Sequence, residues 1–163
     1  MNTYSEARTR ARRDAAEVLE EFGDRRLPVD PVAIARAMGI QCYSAQLGSN
    51  VSGMIQRDSS GQASIYVDID DGPRRSRFTI AHELGHYADH MWRDGDGAVE
   101  FVDRRDGTSN VNEFYANEFA GSLLMPESSF AAAIDFGMSD SQLADHFQVS
   151  TPAVRVRKQT LGL

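Results

Sequence analysis

The stretch Arg77-Phe78-Thr79-Ile80-Ala81-His82-Glu83-Leu84-Gly85-His86 sets the terms for reading the rest of the chain. It lies in a segment, about Arg74 to Trp92, that reads as a helix once the turn at Asp71-Gly72-Pro73 is passed. At about 100° per residue, His82 and His86 stand about 40° apart and one turn apart along the axis, so both imidazoles can converge on one ion. Glu83 stands about 100° from His82, within reach of a water at that ion but not placed to ligate it. Two neutral imidazoles suit Zn2+, and a third protein ligand with one open position makes such a site catalytic rather than structural.

The third ligand has to come from elsewhere. His90 continues the four-residue step of His82 and His86, but each step climbs about 6 Å while zinc–nitrogen bonds are about 2 Å, so one straight helix cannot bring all three to one ion. A later helical segment, about Asn110 to Leu124, offers Glu113 and Glu118. Five residues apart, they point about 140° away from each other. Glu113 shares its stripe with Ala116, Asn117 and Ala120, residues small enough for close helix packing, whereas Glu118 shares a side with Val111, Phe114 and Tyr115. Glu113 is therefore the expected third ligand. Asn117, one turn on, is placed to hydrogen-bond a ligating histidine from behind.

Outward from these two helices, residues 5–22 carry apolar residues at helical spacing, and Asp30-Pro31 is an N-cap with proline at the first helical position, opening a short helix that Gly39 ends. Three strand-like runs follow, at 40–45, 51–57 and 63–68, the last two joined by Asp58-Ser59-Ser60-Gly61 as a hairpin. The stretch 93–109 is polar and glycine-bearing and reads as a surface loop. Pro126 opens another helix, and two small helices near 140–147 and 151–161 form a helix-turn-helix-like pair. The expected fold is α+β and zincin-like: a small, mostly antiparallel three-stranded sheet packed on the His-Glu-x-x-His helix and further helices. The expected division is a zinc domain over 1–138 and the helical pair at 139–163.

With 163 residues, 41% hydrophobic and 25% charged, the composition is that of an ordinary globular chain. No run approaches the roughly 18 apolar residues of a membrane helix, and the N-terminal segment lacks an apolar export core. The lone Cys42 excludes an internal disulfide and suits a reducing cytoplasm; it reads as a small strand residue. A net charge of −7 argues against a general nucleic-acid binder. Most of that charge falls between residues 94 and 145, where eleven acids meet two arginines. This segment reads either as solvated surface or as an electrostatic guide for a basic partner.

Arg77–His86, followed by Glu113-Phe-Tyr-Ala-Asn117-Glu118-Phe-Ala-Gly-Ser-Leu-Leu-Met-Pro126, closely resembles the ImmA/IrrE family of zinc metallo-endopeptidases. The likeness extends to Leu27–Asp30 and to Leu143–Leu163, nearly the whole chain. The resemblance implies that His82, His86 and Glu113 bind zinc and that Glu83 is the catalytic base. It also implies a protein substrate, a helix-turn-helix repressor of a prophage, mobile element or stress operon, cut to release its genes. Against the endopeptidase stand two other readings: a DNA-binding module using Arg155, Arg157 and Lys158, and a zinc-bearing module that cuts nothing. For an extended substrate backbone, the strand around Ser52-Gly53-Met54-Ile55 is the favoured pairing partner.

Overall fold

Asp30 caps the second helix as its sequence demands, its carboxylate accepting from the backbone N–H groups of Val32 and Ala33. In the computed structural model, residues 3–93, 95, 99–104 and 109–163 are described, with backbone alone at 99, 101, 103 and 104. Helices α1 (Thr3–Phe22) and α2 (Pro31–Ala37) precede strands β1 (Ile40–Ala45), β2 (Val51–Arg57) and β3 (Ala63–Asp68). Then come α3 (Pro73–Arg93), β4 (Val99–Arg104), α4 (Val111–Leu124), α5 (Glu127–Asp135), α6 (Asp140–Phe147) and α7 (Thr151–Leu161).

The fold is α+β, and the sheet has four strands rather than three, in the order β1-β3-β2-β4. β2 pairs antiparallel with both β3 and β4, and β1 runs parallel to β3. The fourth strand corrects the reading of 93–109 as a loop. The residues of β4 lie between glycines and polar neighbours, and the strand exists because β2 offers it an unpaired edge, which no local pattern reveals. The same correction reaches β2, whose Ser52–Ile55 segment is interior and paired on both sides, so it cannot take up a substrate strand.

Side chains on β-strands alternate between faces. Ile55 and Ile65, directly opposite each other, are buried on the face toward α3, while Tyr43 and Tyr66 stack on the other face with ring centroids 5.4 Å apart. α4 is sandwiched between α1 and α3, and Tyr115, Phe119 and Leu123 fill the space between them. Leu143, Phe147, Val149 and Val154 of the C-terminal segment join that same core, and Phe147 packs on Phe130 of α5 at 5.5 Å. Arginines of α3 fasten the turn between α6 and α7: Arg74 donates to the Val149 carbonyl and Arg77 to the Gln148 carbonyl. Among the described residues, no helix is long and apolar enough to cross a membrane.

Candidate metal centre

Two helices that must approach closely carry the site, and Gly85 lets them. A Cβ at Gly85 would lie 3.2 Å from the Cα of Ala116 and 3.1 Å from the Phe119 ring, so even alanine there would press α3 away from α4. With a bare Cα on one helix and the small Ala116 on the other, Glu113 is drawn level with the histidines of α3. His86 Nε2 lies 3.1 Å from His82 Nε2 and 3.1 Å from Glu113 Oε1, and His82 Nε2 lies 3.3 Å from Glu113 Oε2. Both imidazoles are 4% exposed.

These spacings test whether the residues suit a metal. Donors on one tetrahedral zinc with bonds of about 2 Å stand about 3.3 Å apart. Asn117 Oδ1 sits 3.0 Å from His82 Nδ1 and accepts the proton held there, which leaves Nε2 of the neutral ring as a bare lone pair turned toward the other two donors. Lone pairs and a carboxylate crowded at this range repel one another unless a cation lies between them. Among the described residues His82, His86 and Glu113 form the group able to hold a metal ion, and His90 is outside it. Where the facing Nε2 atoms instead carry a proton in place of an ion, their hydrogen bonds, that of His82 first, hold the Glu113 carboxyl far below the usual carboxylate range, against the upward push of burial.

Glu83 is fully buried on the same helix. Its place depends on Gly53 of β2: a Cβ there would come 2.3 Å from Thr79 Cγ2 and 3.1 Å from Glu83 Oε1. Sequence reasoning passed over Gly53 as part of a strand. The available signal was the isolated glycine inside an otherwise regular strand, which marks a close approach by another element.

Glu118 turns away from the metal group, as its helical position requires, into a second cluster. It is 5% exposed and lies 2.7 Å from Arg12 Nε, 3.5 Å from Arg157 Nη1 and 4.0 Å from Arg8 Nε. Arg157, 3% exposed, also donates to the Met125 carbonyl and to Ser122 Oγ, both at 3.1 Å. Burial pushes its pKa down while Glu118 draws it up. Tyr115 is fully buried and its hydroxyl donates to Asp14 Oδ2 at 2.7 Å.

Four of the eleven acids of the acidic segment meet basic groups from elsewhere in the chain. Glu113 meets the histidines, Glu118 the arginines, Asp140 pairs with Arg155 and Lys158, and Asp145 pairs with Arg74. Asp94, Asp96 and Asp106 lie outside the described residues, as does the side chain of Asp103. Cys42 is partly buried in β1, and burial pushes its thiol up to about 11.

Comparison with known proteins adds to this geometry. The peptidase M78 family model, described as the IrrE N-terminal-like domain, matches residues 35–158. No curated protein matches the chain. A solved structure, a Mycobacterium tuberculosis transcriptional regulator, is similar over 100% of this chain and 53% of its own, with a TM-score of 0.66 and 19% identity. The chain therefore spans about half the length of that structure, and at this identity the likeness concerns the fold.

Proposed function

The chain belongs to the ImmA/IrrE family, the M78 metallopeptidase family with the IrrE N-terminal-like domain, and from this premise we propose that it is a zinc-dependent endopeptidase of zincin-like architecture that cuts a helix-turn-helix repressor. The observation that carries the reading is the convergence of His82 Nε2, His86 Nε2 and Glu113 at 3.1–3.3 Å, with Glu83 buried on the same helix. In this reading residues 1–138 carry the chemistry and 139–163 form a cover packed on it. The lone free cysteine suits the cytoplasm.

His82, His86 and Glu113 would hold the zinc, which would supply Lewis acidity at the scissile carbonyl. Glu83 takes a proton from the attacking water and passes it to the leaving amine nitrogen, so that one carboxylate serves first as base and then as acid. Asn117, accepting at His82 Nδ1, keeps the His82 ring turned with Nε2 toward His86 and Glu113, where an ion would be held. An extended substrate has the outer edge of β4 to pair with, since β4 borders β2, whose Gly53 touches Glu83.

Against the DNA-binding alternative, one of its three cations is buried and the other two share a single carboxylate. Arg157 is buried, and Arg155 and Lys158 both bind Asp140, at 3.3 and 2.6 Å. The test is incubation of the zinc-loaded chain with a helix-turn-helix protein encoded beside it. Cleavage is expected, abolished by chelator and lowered about 10²–10⁴-fold in Glu83→Gln with zinc content unchanged. Stoichiometric zinc without any cleavage would leave the idle zinc module instead.

A further inference from the structure

The two edges of the sheet are built differently. Among the described residues β4 closes one side and β1 the other. β4 carries Glu100, Asp103 and Arg104, and its register with β2 shifts between Val51 and Gly53. Charge and irregular pairing are the usual guards of an exposed edge against self-association. β1 has neither. Ile40-Gln-Cys-Tyr-Ser-Ala45 holds no charged residue and no proline, and it pairs with β3 in unbroken register over all six residues. The uncharged run around it extends from Ala37 to Gln56, in a chain of which 25% is charged.

The direction of its backbone groups follows from its two ends. The Ala45 carbonyl accepts from the Ile69 N–H just past β3, and the Gly39 carbonyl accepts from the Gln62 side chain just before β3. Backbone direction alternates along a strand, so Gln41 and Tyr43 also turn their polar groups to β3, while Ile40, Cys42 and Ser44 turn theirs out of the sheet. Gln41, Tyr43 and Ser44 are exposed, Tyr43 at 48%. A second copy of the chain, with the same net charge of −7, approaches most easily where charge is missing. Laid antiparallel about a two-fold axis at Tyr43, its β1 sets Gln41 against Ala45, Cys42 against Ser44 and Tyr43 against its own equivalent. No like charges of the two strands meet, and both faces of the sheet continue without a flip. The outward groups of Cys42 and Ser44 then face each other as hydrogen-bonded pairs. Tyr43 already stacks on Tyr66 at 5.4 Å, so the pairing joins two stacks into one row of rings. On the inner face the charges acting on Cys42 are Arg36 and Asp30, one of each sign.

We propose that β1 is a self-association edge: two copies of the chain pair β1 against β1, antiparallel and centred on Tyr43, and merge their sheets into one with a β4 edge at each end. The proposal is independent of the peptidase reading, and it leaves the outer edge of β4 open in both copies. A six-residue edge is a small contact, so the dimer is a weak, reversible one.

The test is sedimentation equilibrium of the full chain from micromolar to submillimolar concentration. The mass is expected to rise from 18.0 kDa toward twice that value. Ser44→Pro removes an outward N–H that β3 does not use, and Tyr43→Lys sets like charges face to face. Each should weaken the dimer about tenfold or more, because the two-fold axis counts every change twice. Both positions are exposed, and thermal unfolding checks that the variants fold. A second arm reads the register. Opposed residues without ladder bonds hold their Cα atoms about 4.5 Å apart, within disulfide reach. On mild oxidation Cys42→Ala/Tyr43→Cys should therefore form a covalent dimer faster than wild type, whose Cys42 faces Ser44. A mass of 18.0 kDa at every concentration overturns the proposal and leaves β1 to a strand of another protein. A dimer that Ser44→Pro and Tyr43→Lys leave intact overturns it too, by placing the interface elsewhere. Faster crosslinking of wild type than of the double variant overturns the Tyr43-centred register.

Discussion

Glu113 and Glu118 sit five residues apart on α4, and each meets basic groups from other elements, yet the two ends of that helix segment do different work. Glu113 faces two imidazoles from one helix and keeps a quarter of its side chain in water. Glu118 faces guanidinium groups from both ends of the chain, Arg8 and Arg12 of α1 and Arg157 of α7, and its charge is fully answered. The first cluster is poised to accept a metal. The second ties the termini to the central helix. A buried carboxylate becomes a site or a staple according to whether its partners bring lone pairs or permanent positive charge.

The largest expected effect comes from the staple. Glu118→Gln leaves Arg157 buried with a neutral partner and should cost about 3–5 kcal/mol of unfolding free energy in urea titration. A double variant with Arg157→Met should recover much of the loss, and a double variant no better than Glu118→Gln alone would break the contrast. Glu113→Gln should do the reverse. It should lower zinc affinity by more than the roughly 100-fold expected of an outer-shell change, measured by competition with a chelator, with little loss of fold. Asn117→Ala, one bond further from the ion, should cost about 10–100-fold on the same assay.

Acid titration separates the clusters further. In the metal-free protein, the Glu113 carboxyl is held below its ordinary range by His82 and His86. Its contribution to stability is therefore full above an unfolded value of about 4.3 and is lost as pH falls from there toward the folded value. Thermal unfolding of wild type should drop across that window more steeply than that of Glu113→Gln. The smallest effect belongs to Arg8, 44% exposed and 4.0 Å from Glu118. Arg8→Ala should change stability by under about 0.5 kcal/mol. A larger loss would mean that the staple depends on its outermost member.

Much of this was legible before any coordinates. The spacing of His82, Glu83 and His86, the small stripe behind Glu113 and the proline and serine caps all express helical periodicity, which is local and survives in the sequence. The bounds of β1, β2 and β3 followed from alternation and from the Asp58–Gly61 turn. β4 was not legible, because its residues are ordinary surface residues until the edge of β2 pairs them. Gly53 was only half legible: an isolated glycine in a strand marks a close approach, but not by what, because Thr79 and Glu83 are more than two dozen residues away in the chain.

The sequence by itself determined which residues could bind a metal, since donor chemistry and a 3.6-residue repeat are properties of a single helix. Only the tertiary structure decided the rest: that Gly85 and Ala116 let two helices close to within ligating distance, that β2 lies inside the sheet, and that Arg157 of α7 is buried against Glu118. These outcomes depend on which surfaces meet, and the charge state and free edge of each group are set by a partner that no local pattern names.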